Sequence, residues 1–86
     1  MSISEKRLNR LRNRPNDYTY TEARALLKSL GFEELNKGRT SGSRVRFYRE
    51  SDKKMINLHK PHPEDVMKKY AVDALYRFLE EIGELK

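Results

Sequence analysis

The side chains that could do chemistry in this chain are two histidines and a run of cations. His59 and His62 are the only histidines, and histidine can donate or accept a proton near neutral pH. Residues 37–49 contain five basic side chains and no acidic one. Glycines and hydroxyl groups in this run suit a turn whose backbone N–H groups approach phosphate oxygens. The candidate anion-binding residues are Lys37, Arg39, Ser41, Ser43, Arg44, Arg46 and Tyr48.

The end of this run alternates between apolar and polar side chains. Val45 and Phe47 share one face of the predicted strand, and Arg44, Arg46 and Tyr48 share the other. Such a strand packs on a core and presents positive charge outward, as a nucleic-acid-binding sheet requires, with Tyr48 placed to stack on a base. The alternative is a solvated edge strand whose arginines serve solubility.

Composition narrows the classes of partner and compartment. The 86 residues are enough for a single domain spanning residues 1–86, and they carry 19 Lys and Arg against 13 Asp and Glu, a net charge of +6. This sign favours nucleic acid, an anionic membrane surface or an acidic protein. The absence of cysteine excludes disulfide scaffolds and thiolate metal sites. No apolar run approaches the roughly 20 residues of a membrane span, and no signal-peptide pattern is present. We expect a cytoplasmic protein that does not bind membranes.

The elements that position these residues follow from local signals. Ser2 and Glu5 have capping-box spacing at the start of a short basic helix, and Thr19 and Glu22 repeat the spacing before a second helix. Gly31 lies where a helix C-terminal glycine belongs. Strands are predicted at residues 32–37, 43–49 and 54–59, the last with Ile56 and Leu58 inward and Met55, Asn57 and His59 outward.

A final helix is predicted over residues 64–82, because Pro63 suits a first helical position and Gly83 an end. Its predicted apolar face consists of Met67, Tyr70, Ala71, Ala74, Leu75, Phe78, Leu79 and Ile82. The fold class is therefore α+β: a three-stranded antiparallel sheet with helices on one face and the other face open.

The order of these elements resembles the HicA toxins of bacterial toxin–antitoxin modules. The most specific segments are residues 27–32 (LKSLGF) and 42–48 (GSRVRFY), and the resemblance covers nearly the whole chain. It implies an α-β-β-β-α fold similar to double-stranded-RNA-binding domains, cleavage of messenger RNA, neutralisation by a HicB-type antitoxin, and no cofactor. The family carries a histidine directly after the Gly-Ser pair, where this chain has Arg44. Arginine stays protonated and cannot act as a base.

RNA cleavage without a metal needs a base for the 2′-hydroxyl, an acid for the leaving oxygen and cations on the phosphorane. The hypothesis is that His59 or His62 supplies the acid–base function while Arg44, Arg46 and Lys37 bind the phosphate. The alternative for both histidines is a surface position that contacts water or RNA only, and a metal site formed by the pair is disfavoured. A non-catalytic RNA-binding module and a domain that recognises an acidic protein remain alternatives for the whole chain.

Overall fold

The computed structural model describes residues 3–35, 44–61 and 64–85. Three helices and three strands follow in the order α1 (Ile3–Arg12), α2 (Tyr20–Ser29), β1 (Glu33–Glu34), β2 (Arg44–Arg49), β3 (Lys54–His59) and α3 (Lys69–Glu81). The strands form one antiparallel sheet in the order β1-β2-β3. The predicted α+β class is confirmed.

Helix α2 begins and ends at the predicted signals. The Thr19 hydroxyl accepts from the Glu22 backbone N–H at 3.1 Å, and the Glu22 carboxylate accepts from the Thr19 backbone N–H at 3.0 Å. At the other end Gly31 has a φ of +96°, a conformation that glycine adopts without steric cost. The Phe32 N–H then reaches back to the Leu27 carbonyl at 2.9 Å, which closes the helix.

The core lies between the helices and one face of the sheet. Val45, Phe47 and Leu58 are buried on that face, as the alternating pattern predicts. The Phe47 ring lies 6.4 Å from the Tyr20 ring of α2, measured between centroids. The opposite face of β2 and β3 remains accessible to solvent.

The predicted start of the last helix is wrong. Helix α3 begins at Lys69 rather than at residue 64. Val66 instead forms an isolated antiparallel bridge with Thr19. The Asp65 carbonyl accepts from the Tyr20 N–H at 2.7 Å, and the Met67 N–H donates to the Tyr18 carbonyl at 2.8 Å. These long-range bonds hold residues 65–67 extended against the start of α2.

The rotation of α3 about its axis also differs from the prediction. Val72, Leu75 and Leu79 are its buried residues, whereas Tyr70 is 64% exposed and Ala74 is exposed. Val72 was not among the predicted core residues. Val72, Leu75 and Leu79 are spaced at i, i+3 and i+7 and form the stripe that packs on the core, so Tyr70 and Ala74 fall outside it. Strand β1 is likewise shorter than predicted in the described residues, although the Leu35 N–H still donates to the Arg46 carbonyl at 2.7 Å.

Candidate functional site

The accessible face of the sheet gathers outward-pointing side chains from all three strands. We call it the open face, and it comprises Glu33, Arg44, Arg46, Tyr48, Met55, Asn57 and His59. Antiparallel pairing opposes residues of neighbouring strands directly and points their side chains to the same side. The residues therefore lie in rows across the sheet.

Arg44 and His59 form the first row. They are partners in the register of β2 and β3, and both are exposed. Directly opposed residues have Cβ atoms about 4.5–5.5 Å apart, so the guanidinium and the imidazole can reach one bound group together. The structure confirms the predicted position of His59, which lies on the same face of the sheet as Arg44 and Arg46.

Arg46 and Asn57 form the middle row. The Arg46 Nε–H donates to the Asn57 amide oxygen at 3.3 Å, and this bond orients the guanidinium along the sheet. Because Arg44 and Arg46 are two residues apart on one strand, their side chains leave the same face from Cα atoms about 7 Å apart. The two cations give this end of the open face a positive potential suited to a phosphate chain.

The third row crosses all three strands and contains a carboxylate. Tyr48 opposes Met55 on β3 and Glu33 on β1. Tyr48 is half-buried, Met55 is 49% exposed and Glu33 is exposed. The alternation of β3 predicts that Met55 points outward but indicates no role for it. No sequence pattern identifies Glu33, because its position depends on the register of a two-residue strand.

Arg49 belongs to the same basic run but does not join the open face. Because side chains of a strand alternate between its two faces, Arg49 points toward the core, and it is 8% exposed. Hydrogen bonds from its guanidinium to Asp52, and then to Glu84, raise its pKa further above the ordinary arginine value. It is a structural residue.

The tyrosines divide between the core and the surface. Tyr18 and Tyr20 are buried, and desolvation raises the pKa of both hydroxyls, which keeps them neutral. Tyr76 is half-buried under Arg14, whose guanidinium carbon lies 4.8 Å from the ring centroid. None of these three lies on the open face, whereas Tyr48 does.

Five predicted site residues lie outside the described residues: Lys37, Arg39, Ser41, Ser43 and His62. In residues 3–35, 44–61 and 64–85, no group of three or more His, Cys, Asp or Glu side chains could hold a metal ion. The structure therefore describes the pairing of Arg44 with His59, and the predicted acid–base role of His62 stays a prediction. None of the helices in these ranges has the length and apolar composition of a transmembrane span.

The fold and the open face define a small α+β domain that presents a cationic sheet. The sequence matches the family described as the HicA toxin of bacterial toxin–antitoxin over residues 20–83. The chain belongs to this family, so the resemblance read from the sequence is confirmed, and an antitoxin partner follows from it. The match begins at the first residue of α2, so α1 precedes it. Comparisons with curated proteins and with solved structures found no match.

Proposed function

We propose that this toxin cleaves messenger RNA on its open face, with His59 as an acid–base residue and Arg44 as a cation on the reacting phosphate. The observation that carries the proposal is the cross-strand pairing of Arg44 with His59. HicA toxins carry a histidine at the position that Arg44 occupies in this chain. A histidine one strand away, on the same face, offers an imidazole to the same neighbourhood.

The reaction is a transesterification within one nucleotide. His59 accepts the proton of the 2′-hydroxyl, the 2′-oxygen forms a bond to phosphorus, and the bond from phosphorus to the 5′-oxygen breaks. A second group protonates the departing 5′-oxygen, and His62 is the candidate for this role. The products are a 2′,3′-cyclic phosphate and a 5′-hydroxyl, so no oxidant, reductant or cofactor is consumed.

The arginines stabilise charge that develops on the phosphorus oxygens. Arg44 lies opposite the base, so its guanidinium can hold the same phosphate group that His59 serves. Arg46, oriented by Asn57, is placed to hold a neighbouring phosphate. A guanidinium suits this task because its planar donors match phosphate oxygens and its charge is permanent. Lys37, Arg39, Ser41 and Ser43 extend the proposed RNA-binding residues, and Tyr48 is proposed to stack on a base.

The partner protein in this proposal is a HicB-type antitoxin that covers the open face. A protein that occupies Arg44 and His59 would exclude RNA and thereby block cleavage without altering the fold. The substrate, messenger RNA, places the toxin's action in the cytoplasm.

The test is incubation of the purified toxin, in EDTA, with an end-labelled messenger RNA fragment beside the His59→Ala and His62→Ala variants. We expect cleavage by the wild type and a loss of at least about 100-fold in one or both variants. Tyr70→Ala is the matched control, because it changes an exposed side chain of α3 that lies away from the open face. Equal activity in all four proteins would reject the assignment of the histidines.

The second candidate function is an RNA-binding module without nuclease activity. Arg44 favours this alternative, because the chain has a permanently charged arginine at the position where HicA toxins carry a histidine. In the same experiment, intact RNA that still binds the wild-type protein in a gel-shift assay would select this alternative. If the wild-type protein binds RNA only weakly even at low salt, the result would instead favour a domain that recognises an acidic protein.

A further inference from the structure

Glu33, Tyr48 and Met55 lie at the end of the open face away from Arg44 and His59. Tyr48 lies four positions after Arg44 on β2, which corresponds to about 13 Å along the strand. The row places an aromatic ring between an exposed thioether on one side and an exposed carboxylate on the other. Met55 is 49% exposed, so its thioether is accessible to a ligand that lies on the Tyr48 ring.

We propose that this row binds one unpaired nucleobase of the RNA and that guanine fits it best. The inference rests on the proposed function, since that function supplies RNA as the substrate, and it adds which RNA is preferred. The ring of Tyr48 provides a stacking surface, and the thioether of Met55 provides a polarisable neighbour for a flat base. A base paired in a duplex cannot present its face to such a row, so the substrate class is single-stranded RNA.

The carboxylate of Glu33 decides which base is preferred. An ionised carboxylate has two acceptor oxygens and no donor. The Watson–Crick edge of guanine presents two adjacent donors, N1–H and the N2 amino group, which can bind both oxygens together. Adenine and cytosine place a ring acceptor beside their single amino group, and uracil places its one N–H between two carbonyls. Each of these three bases would set a lone pair against the carboxylate.

The same carboxylate argues against a phosphate at this row. A phosphate beside Glu33 would meet a like charge, whereas Arg44 and Arg46 attract phosphates at the other end of the face. The face therefore divides into a phosphate-binding end and a base-binding end. Because the two ends are held about 13 Å apart by one strand, the bound guanine and the cleaved bond should keep a constant separation along the RNA.

The test uses short single-stranded RNAs with one guanosine in a background of A, C and U, and the same RNAs with inosine, which lacks the N2 amino group. We expect wild-type cleavage at a constant spacing from the guanosine and a rate about tenfold lower with inosine. In Glu33→Gln the ratio of the guanosine rate to the inosine rate should approach one. Tyr48→Leu should weaken binding of every such RNA, because stacking does not distinguish bases, whereas Tyr70→Leu, which removes an exposed tyrosine from α3, should not.

The outcomes separate this inference from the proposed function. Cleavage without any preference for guanosine would overturn the base site and leave the nuclease proposal standing. If the wild type cleaves no RNA, fluorescence anisotropy with the same oligonucleotides becomes the readout. A preference for guanosine in binding that disappears in Glu33→Gln would then support the base site alone, and equal binding of all the RNAs would overturn it. An unchanged preference for guanosine in Glu33→Gln would also overturn it, because a group other than the Glu33 carboxylate would then recognise the base.

Discussion

Arg49 and Glu84 are joined by a hydrogen-bonded ion pair of 2.8 Å across 35 residues of sequence. Arg49 ends β2, and Glu84 follows α3. The same guanidinium binds Asp52 at 2.7 Å, donates to the Leu30 carbonyl at 3.1 Å and lies 4.9 Å from the centroid of the Phe32 ring. One side chain therefore ties the hairpin, the end of α2 and the segment after α3 together.

Replacement of Arg49 by alanine should destabilise the fold. Arg49→Ala removes the guanidinium that donates to two carboxylates and a carbonyl. Because those carboxylates are 37% and 31% exposed and can be rehydrated, we expect the free energy of unfolding to fall by about 2 kcal/mol. Arg24→Ala is the control, because its ion pair with Glu34 is more exposed and should contribute about 0.5 kcal/mol. Urea denaturation of the three proteins measures both values. Similar losses in the two variants would contradict the special role of Arg49.

The capping box of α2 provides a second stability test. Thr19→Ala removes the hydroxyl that accepts from the Glu22 N–H, and we expect a loss of about 1 kcal/mol. Thr21→Ala changes a threonine two positions later whose backbone N–H, rather than its side chain, makes the recorded bond to Asp65. That variant should stay within about 0.5 kcal/mol of the wild type. Thermal and urea unfolding compare the two, and a larger loss in Thr21→Ala would refute the capping interpretation.

Acid should weaken the fold in part through Glu22. Hydrogen bonding from Arg10, assisted by the Thr19 backbone, lowers the pKa of the Glu22 carboxyl below its ordinary value. The folded state therefore binds fewer protons than the unfolded state in mild acid, so the stabilisation is present above the unfolded pKa and is lost as pH falls through the folded one. Between about pH 5 and pH 3, Glu22→Gln should lose less stability than the wild type. Urea unfolding across this range tests the difference, and parallel pH profiles would speak against it.

Salt dependence tests the cationic end of the open face. If Arg46 contacts a phosphate, Arg46→Ala should weaken RNA binding and reduce the slope of log affinity against log salt concentration by about 1. Arg12→Ala removes the same charge from α1, where Arg12 is exposed and bonded to Asn9. Fluorescence anisotropy between low and moderate salt should show the reduced slope in the first variant alone. Equal slopes in the two variants would mean that net charge, and not the open face, governs binding.

Several features were predictable because the residues that cause them are close in sequence. Thr19 and Glu22 are three residues apart, and Gly31 directly follows the last turn of α2. The inward Val45 and Phe47 and the outward Arg44 and Arg46 follow from the two-residue period of a strand. In each case the stabilising contact lies within a few residues, so its partner could be identified from spacing.

The start of α3 could not be predicted in this way. Pro63 and the acidic residues after it favour a helix by local rules, yet hydrogen bonds to Tyr18 and Tyr20 hold residues 65–67 extended. The donors and acceptors come from a segment more than forty residues earlier in the chain. Tertiary hydrogen bonding overrode a correctly identified local preference.

The sequence by itself determined the fold class, the family and the division of β2 into a core face and a cationic face, because each rests on local spacing or on motifs in order. Only the tertiary structure decided that Arg49 is buried and links three segments of the chain through its hydrogen bonds. The same holds for the pairing of His59 with Arg44 and for the positions of Glu33 and Met55 on either side of Tyr48. Strand register and long-range ion pairs set these relationships. A one-residue shift in register would place different side chains together without changing any local pattern that the sequence displays.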